Sequence, residues 1–234
     1  LKSLKKLADD QEYMWCGDAK FWGRTSPVLF PFVGGLKNKE YRFEGKTYSM
    51  TQHGFARDMD FELETQTESE LWFTLESTEE TLARYPFPFI LNLGYRLEGS
   101  TVTVLWKVEN PSEKQMYFSI GGHPAFNCPL TEGTKQSDYS VSFADTDEIV
   151  STRISEEGLA TGCRKDGTPY LTVKMEAPLF GIWSPPGKNA PFVCIEPWYG
   201  RCDDEYFDGD LTEREWGNKL APHQTIEASY TITV

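Results

Sequence analysis

Thr225-Ile226-Glu227-Ala228-Ser229-Tyr230-Thr231-Ile232-Thr233-Val234 closes the chain, and its apolar residues Ile226, Ala228, Tyr230, Ile232 and Val234 fall at every second position. A period of two puts all five on one face of an extended strand and leaves the polar residues on the other. Similar alternation occurs at 62–75, 89–96, 101–109 and 115–120, in runs bounded by Gly, Pro, Asn and Asp. Each reads as a half-buried strand. Hardly any stretch holds a helical period beyond two turns, so the fold class is all-β, a large antiparallel β-sandwich.

Two connections can be read in more detail. Asn110-Pro111-Ser112-Glu113-Lys114 joins the runs 101–109 and 115–120 with turn residues at hairpin spacing, and these two strands are expected to pair. One short helix is expected at 78–84, with Ser77 and Glu80 as a capping box and Pro86 ending it. No linker, repeat or low-complexity tract divides the sequence, so residues 1–234 read as a single domain.

The chain has 234 residues, with 23 Lys and Arg against 36 Asp and Glu, and 14% aromatic residues. So many aromatics supply a large core and exclude intrinsic disorder. A net charge of -13 repels a phosphate backbone, so no nucleic acid partner is expected. The longest apolar runs, such as 27–35, fall far short of the ~20 residues that span a bilayer, and no membrane association is expected. Five scattered cysteines (Cys16, Cys128, Cys163, Cys194 and Cys202) include no Cys-x-x-Cys pair. They suggest neither a disulfide framework nor a zinc site, and a reducing cytoplasm fits best.

Some apparent motifs fail on chemistry. Asp204-x-Tyr206-x-Asp208-Gly209, with Glu215 beyond, has calcium-loop spacing, but Tyr206 stands where a ligand belongs and no long helices flank it. The segment 181–189 looks like a phosphate loop, but Pro185 and Pro186 delete donors and Asn189 follows Lys188. No Gly-x-Ser-x-Gly elbow occurs, and no two histidines sit at metal-ligand spacing. A metal site converging from His53, His123, His223 and a carboxylate is an alternative that spacing leaves open.

Three settings carry chemistry better. His123 lies in Gly121-Gly122-His123-Pro124, where glycines allow close approach and the proline fixes the exit, so the ring is held at a strand end. It either meets a ligand or caps a buried carbonyl. His53 lies in the polar segment Gln52-His53-Gly54-Phe55-Ala56-Arg57-Asp58, suited to polyol or anion recognition or to a loop salt bridge. Glu196 ends the apolar run 192–195 and precedes Pro197-Trp198-Tyr199. It reads as a partly desolvated base beside an aromatic platform, or as a rim partner of Arg201. His223 looks like an ordinary turn residue. One His and one Glu reached from different strands form the acid and base that hemiacetal ring opening needs, with no cofactor and no metal.

At these residues the sequence resembles the aldose 1-epimerase (mutarotase) family, most closely its LacX-like branch. The resemblance covers nearly the whole chain. It rests on Phe21-Trp22-Gly23-Arg24 with Pro27-Val28-Leu29-Phe30-Pro31, on Gln52-His53-Gly54-Phe55-Ala56-Arg57, on Gly121-Gly122-His123-Pro124-Ala125-Phe126-Asn127, on Phe180-Gly181-Ile182-Trp183-Ser184 and on Cys194-Ile195-Glu196-Pro197-Trp198. It implies a galactose-mutarotase-like supersandwich, with His123 as general acid and Glu196 as general base. It further implies that Arg24, Gln52, His53 and Arg57 contact the sugar. The implied partner is a small-molecule sugar, met by a monomer or homodimer. A neutral hexose, a hexose 6-phosphate, and a sugar-binding protein without catalysis are all compatible with the resemblance. Against the family pattern the chain starts late and lacks a segment near 170–174, so successive alpha carbons there are expected to lie much more than ~3.8 Å apart.

Overall fold

A computed structural model describes residues 1–143, 170–204 and 206–234. Its strands, numbered in chain order, are antiparallel in every named ladder. One sheet has six, in the order β11 (Thr172–Met175), β15 (Thr225–Thr233), β7 (Thr101–Glu109), β6 (Ile90–Glu98), β5 (Glu70–Glu76) and β4 (Glu62–Gln66). The closing run pairs with β7 along its full length, from Thr225 opposite Glu109 to Thr233 opposite Thr101. Its alternating face meets the alternating face of β7, where Val102, Val104, Trp106 and Val108 are buried.

The second sheet is built around β13 (Phe192–Tyr199). On one side lies β12 (Leu179–Trp183); on the other, β9 (Ile120–Gly122) and β10 (Ala125–Asn127) lie end to end, with β1 (Val28–Leu29) beyond β9. Two small two-stranded sheets, the hairpin of β2 (Glu40–Phe43) with β3 (Lys46–Ser49) and the long-range pair of β8 (Met116–Phe118) with β14 (Asn218–Leu220), complete the strands among the described residues.

The main core is aromatic. Phe30, Phe32, Tyr85, Phe87, Phe89 and Phe118 are almost wholly buried, each removing an area that stabilises the fold by about 1.5–3 kcal/mol. Ile195 and Tyr199 of β13 pack toward this core, Tyr199 edge-on to Trp106. By the period of two, Phe192, Cys194, Glu196 and Trp198 face the other way. Phe192, Cys194 and Trp198 join separate small clusters there, with Trp15 and Ala125 at one end and Leu29 and Val33 at the other.

Several expectations are corrected. The run 62–75 is two strands, because Thr67 turns the chain: its hydroxyl accepts the Glu70 N–H at 2.9 Å and its own N–H reaches the Glu70 carbonyl at 2.8 Å. The helix α1 spans Glu79–Arg84 and is capped by Thr78, not Ser77; Thr78 and Thr81 exchange side-chain and backbone hydrogen bonds. The strands flanking 110–114 do not pair. β7 is occupied on both sides by β6 and β15, so the chain crosses to β8, and Asn110 anchors the crossing by donating to the carbonyls of Lys114, Leu220 and Ala221. Thr172, Val173, Lys174 and Met175 pair residue for residue with β15.

Among the described residues Cys16, Cys128, Cys194 and Cys202 are free thiols, while Cys163 lies outside them. Among the described residues no helix is long and apolar enough to cross a membrane.

Candidate functional site

The site follows from strand register. Gly121 of β9 lies opposite Trp198, and Ala125 of β10 lies opposite Cys194. Counting inward from both pairs brings His123 opposite Glu196, at the gap where Pro124 lacks the N–H a continuous ladder needs. The His123 N–H turns instead to the Pro27 carbonyl at 3.0 Å, while Ile195 N–H donates to the Pro124 carbonyl at 3.2 Å. His123 Nε2 and Glu196 Oε2 consequently stand 3.4 Å apart, close enough to act on one ligand but longer than a good N–H···O bond.

Glu196 is only 1% exposed. Trp198, two residues along the same face, donates its indole N–H to Glu196 Oε2 at 3.2 Å. The indole reaches there because Gly181, opposite Glu196 on β12, has no side chain: a Cβ would lie 2.5 Å from Trp198 Cζ2. Trp198 is thus a buried support for the carboxylate. The alternative partner Arg201 pairs with Glu215 at 3.2 Å.

His123 is enclosed by rings. Trp22 stacks on it at 4.7 Å between centroids, Trp183 meets it edge-on at 5.6 Å, and His53 edge-on at 5.5 Å. Trp22 and Trp183 are partly exposed and offer the apolar surface beside the ring. His123 Nδ1 is buried without a hydrogen-bond partner among the described residues.

His53 sits in the left-handed region at φ 65°. Its Nδ1 accepts the Gly34 N–H at 3.0 Å, which leaves the proton of a neutral ring on Nε2. Gly54 follows, also left-handed, against the Phe30 carbonyl that accepts from the Phe55 and Ala56 N–H groups. Arg24 donates to Asp58 Oδ1 at 2.6 Å, and Arg57 Nε lies 3.6 Å from Asp58 Oδ2. Gln52 is exposed beside His53.

Burial governs the electrostatics. It lowers His123 to about 3, helped by His53, Arg57 and Arg24, and lowers His53 to about 4, helped by Arg57 and Arg24. It drives Glu196 well above the usual carboxylate range, partly opposed by the Trp198 hydrogen bond. Arg57 is lowered by burial and by Arg24, with Asp58 opposing. The structure therefore brings His123, Glu196, His53, Arg57 and Arg24 into one neighbourhood. His223 is elsewhere, paired with Glu113 on an exposed turn.

Trp22, Trp183, Gly181 and Asp58 had no role in the sequence reading, although the first three lie inside the quoted motifs. The alternation of Phe192, Cys194, Glu196 and Trp198 was the available signal that Trp198 and Cys194 share a face with Glu196.

The LacX proteins of Lactococcus lactis subsp. lactis, chromosomal and plasmid, are 29% identical over 279 residues, covering 100% of this chain and 93% of their own length. A galactose mutarotase related enzyme from Lactobacillus acidophilus superposes with a TM-score of 0.81 at 31% identity, over 99% of this chain and 90% of that one. A galactose mutarotase-like protein from Lactobacillus casei gives 0.82 at 28% identity, over 100% and 92%. The profile described as Aldose 1-epimerase matches residues 1–164, and the chain belongs to the aldose 1-epimerase family.

Proposed function

We propose that the protein interconverts the α and β anomers of a free hexose by ring opening and reclosure. The observation that carries this is the separation of 3.4 Å between the buried His123 Nε2 and Glu196 Oε2, beside the rings of Trp22 and Trp183. The anomeric hydroxyl O1 and the ring oxygen O5 are bonded to the same carbon, so two groups this close can reach both at once. Glu196 takes the O1 proton, the O1 electron pair forms the carbonyl, the C1–O5 bond breaks, and O5 takes a proton from His123. Rotation about C1–C2 turns the other carbonyl face to O5. Reclosure then runs the same transfers in reverse.

The proton inventory balances over this cycle. Before opening, the pair is carboxylate and imidazolium; afterwards it is carboxylic acid and neutral imidazole, so its net charge stays zero. Burial, which raises Glu196 and lowers His123, favours the second distribution, so opening requires the proton to pass from Glu196 to His123 first. Arg24, His53, Arg57 and Gln52 are assigned to the sugar hydroxyls and to charge developing on oxygen.

Polarimetry of freshly dissolved α-glucose or α-galactose tests the reading. Wild-type protein should speed equilibration, and Glu196→Gln should slow that catalysis on the order of 100-fold or more. Sugar binding without any acceleration would make the protein a carbohydrate-binding module instead.

A further inference from the structure

Cys194 has no part in ring opening, yet it lies two residues before Glu196 on the same face of β13 and opposite Ala125, which is two residues after His123. His123, Cys194 and Glu196 each present a ligand atom within 4.8 Å of the other two, and all three residues are buried. It is the one such group of three among the described residues. We propose that these three side chains bind a zinc-class divalent cation, and that the cation inhibits the enzyme by occupying the catalytic pair.

Geometry fits a tetrahedral ion. Zinc binds nitrogen at ~2.0–2.1 Å and carboxylate oxygen at ~2.0–2.2 Å, so two such donors on a tetrahedron stand about 3.3–3.5 Å apart. The His123 and Glu196 atoms are already 3.4 Å apart. A thiolate at ~2.3 Å would stand about 3.6 Å from each, and the group's 4.8 Å limit leaves at most about an ångström for Cys194 to close by a side-chain adjustment. Three protein ligands leave the fourth position for water.

The donor set selects the ion. One sulfur, one imidazole and one carboxylate suit zinc or cobalt, and a thiol with an imidazole does not suit magnesium or calcium. His123 Nε2 is too far from Glu196 for a good hydrogen bond, which leaves its lone pair available to an ion. Binding releases the Cys194 and Glu196 protons to solvent, which burial otherwise holds on both groups, and thiolate and carboxylate together neutralise the two charges of the ion. Because sugar and cation need the same His123 and Glu196 atoms, they exclude one another.

Cobalt(II) added to the full chain gives a readout independent of turnover. One equivalent should produce a thiolate-to-cobalt charge-transfer band in the near ultraviolet, which zinc displaces. The band should vanish in Cys194→Ser and persist in Cys16→Ser and Cys202→Ser. His123→Asn, which keeps the buried thiol, should also lose the one-equivalent band, so the outcome does not depend on Cys194→Ser folding well. No thiolate band in the wild type, or a band that survives Cys194→Ser, would overturn the site. A site confirmed by cobalt in a protein that never accelerates anomer exchange would retain the metal proposal and reject the epimerase reading.

Discussion

Gly181 gives up its side-chain space to the Trp198 indole, and that indole holds Glu196. A methyl group at 181 would meet ring carbons at 2.5 and 2.8 Å, so Gly181→Ala must push Trp198 aside. The expected cost is about 1–3 kcal/mol of stability from overpacking, together with loss of the hydrogen bond to Oε2. Trp198→Phe separates these effects by removing the donor without adding a clash. Since that hydrogen bond opposes the rise in the Glu196 pKa, its loss should move the acid limb of the anomerisation pH profile to higher pH. An acid limb unchanged in Trp198→Phe would mean that the indole only fills space. His53 supplies a second test. Burial lowers its folded pKa from the ordinary 6.5 to about 4, so the unfolded chain binds more protons between these values. Its stability is complete above pH 6.5 and is lost as pH falls toward 4, by about 3 kcal/mol in all. Urea midpoints at pH 7 and pH 4.5 should therefore converge more closely in His53→Gln than in the wild type. An equal acid loss in both would remove His53 from the account.

The loop that carries His53 depends on the glycine after it. Gly54 has φ +71°, and a Cβ there would lie 2.2 Å from the Phe30 carbonyl oxygen, a backbone atom already holding two N–H donors. Gly45, in the β2–β3 turn, has φ +74° with nothing within 4 Å of its Cβ position. The pair separates conformational strain from steric clash. Gly45→Ala should cost about 1–2 kcal/mol, the penalty of the left-handed region alone, and Gly54→Ala should cost more than about 3 kcal/mol and unseat His53. Comparable urea midpoints for the two variants would refute this. The same contrast explains what could be read in advance. Alternation along 101–109 and 225–234 fixed which side chains are buried, because a period of two determines a face. It could not choose a neighbour, and so the turn at 110–114 suggested a hairpin where the chain changes sheets. His123 and Glu196 stood out by residue type and setting, and the register then set them opposite one another. The role of Trp198 was not legible, since it depends on a glycine on the adjacent strand that no local pattern ties to it.

At the scale of the molecule, the net charge of -13 acts on whatever approaches the site. A phosphate dianion is repelled by that field and needs several free arginine or lysine donors to offset its desolvation. Arg24 and Arg57 are the site's arginines, and both already face Asp58, at 2.6 and 3.6 Å. Arg201 is engaged with Glu215. A neutral hexose makes no such demand, and its hydroxyls need only the remaining N–H donors of Arg24, Arg57 and His53. Glucose should therefore be preferred to glucose 6-phosphate when the two compete in the polarimetric assay. Ionic strength should reveal the cause. Raising salt from low levels shortens the screening length from ~30 Å at 0.01 M to ~8 Å at 0.15 M, which should leave kcat/KM for glucose nearly constant while raising that for the phosphate. The preference should narrow with salt and not reverse. Faster turnover of glucose 6-phosphate at low salt would show that local arginines overcome the global field, and would reassign the substrate class.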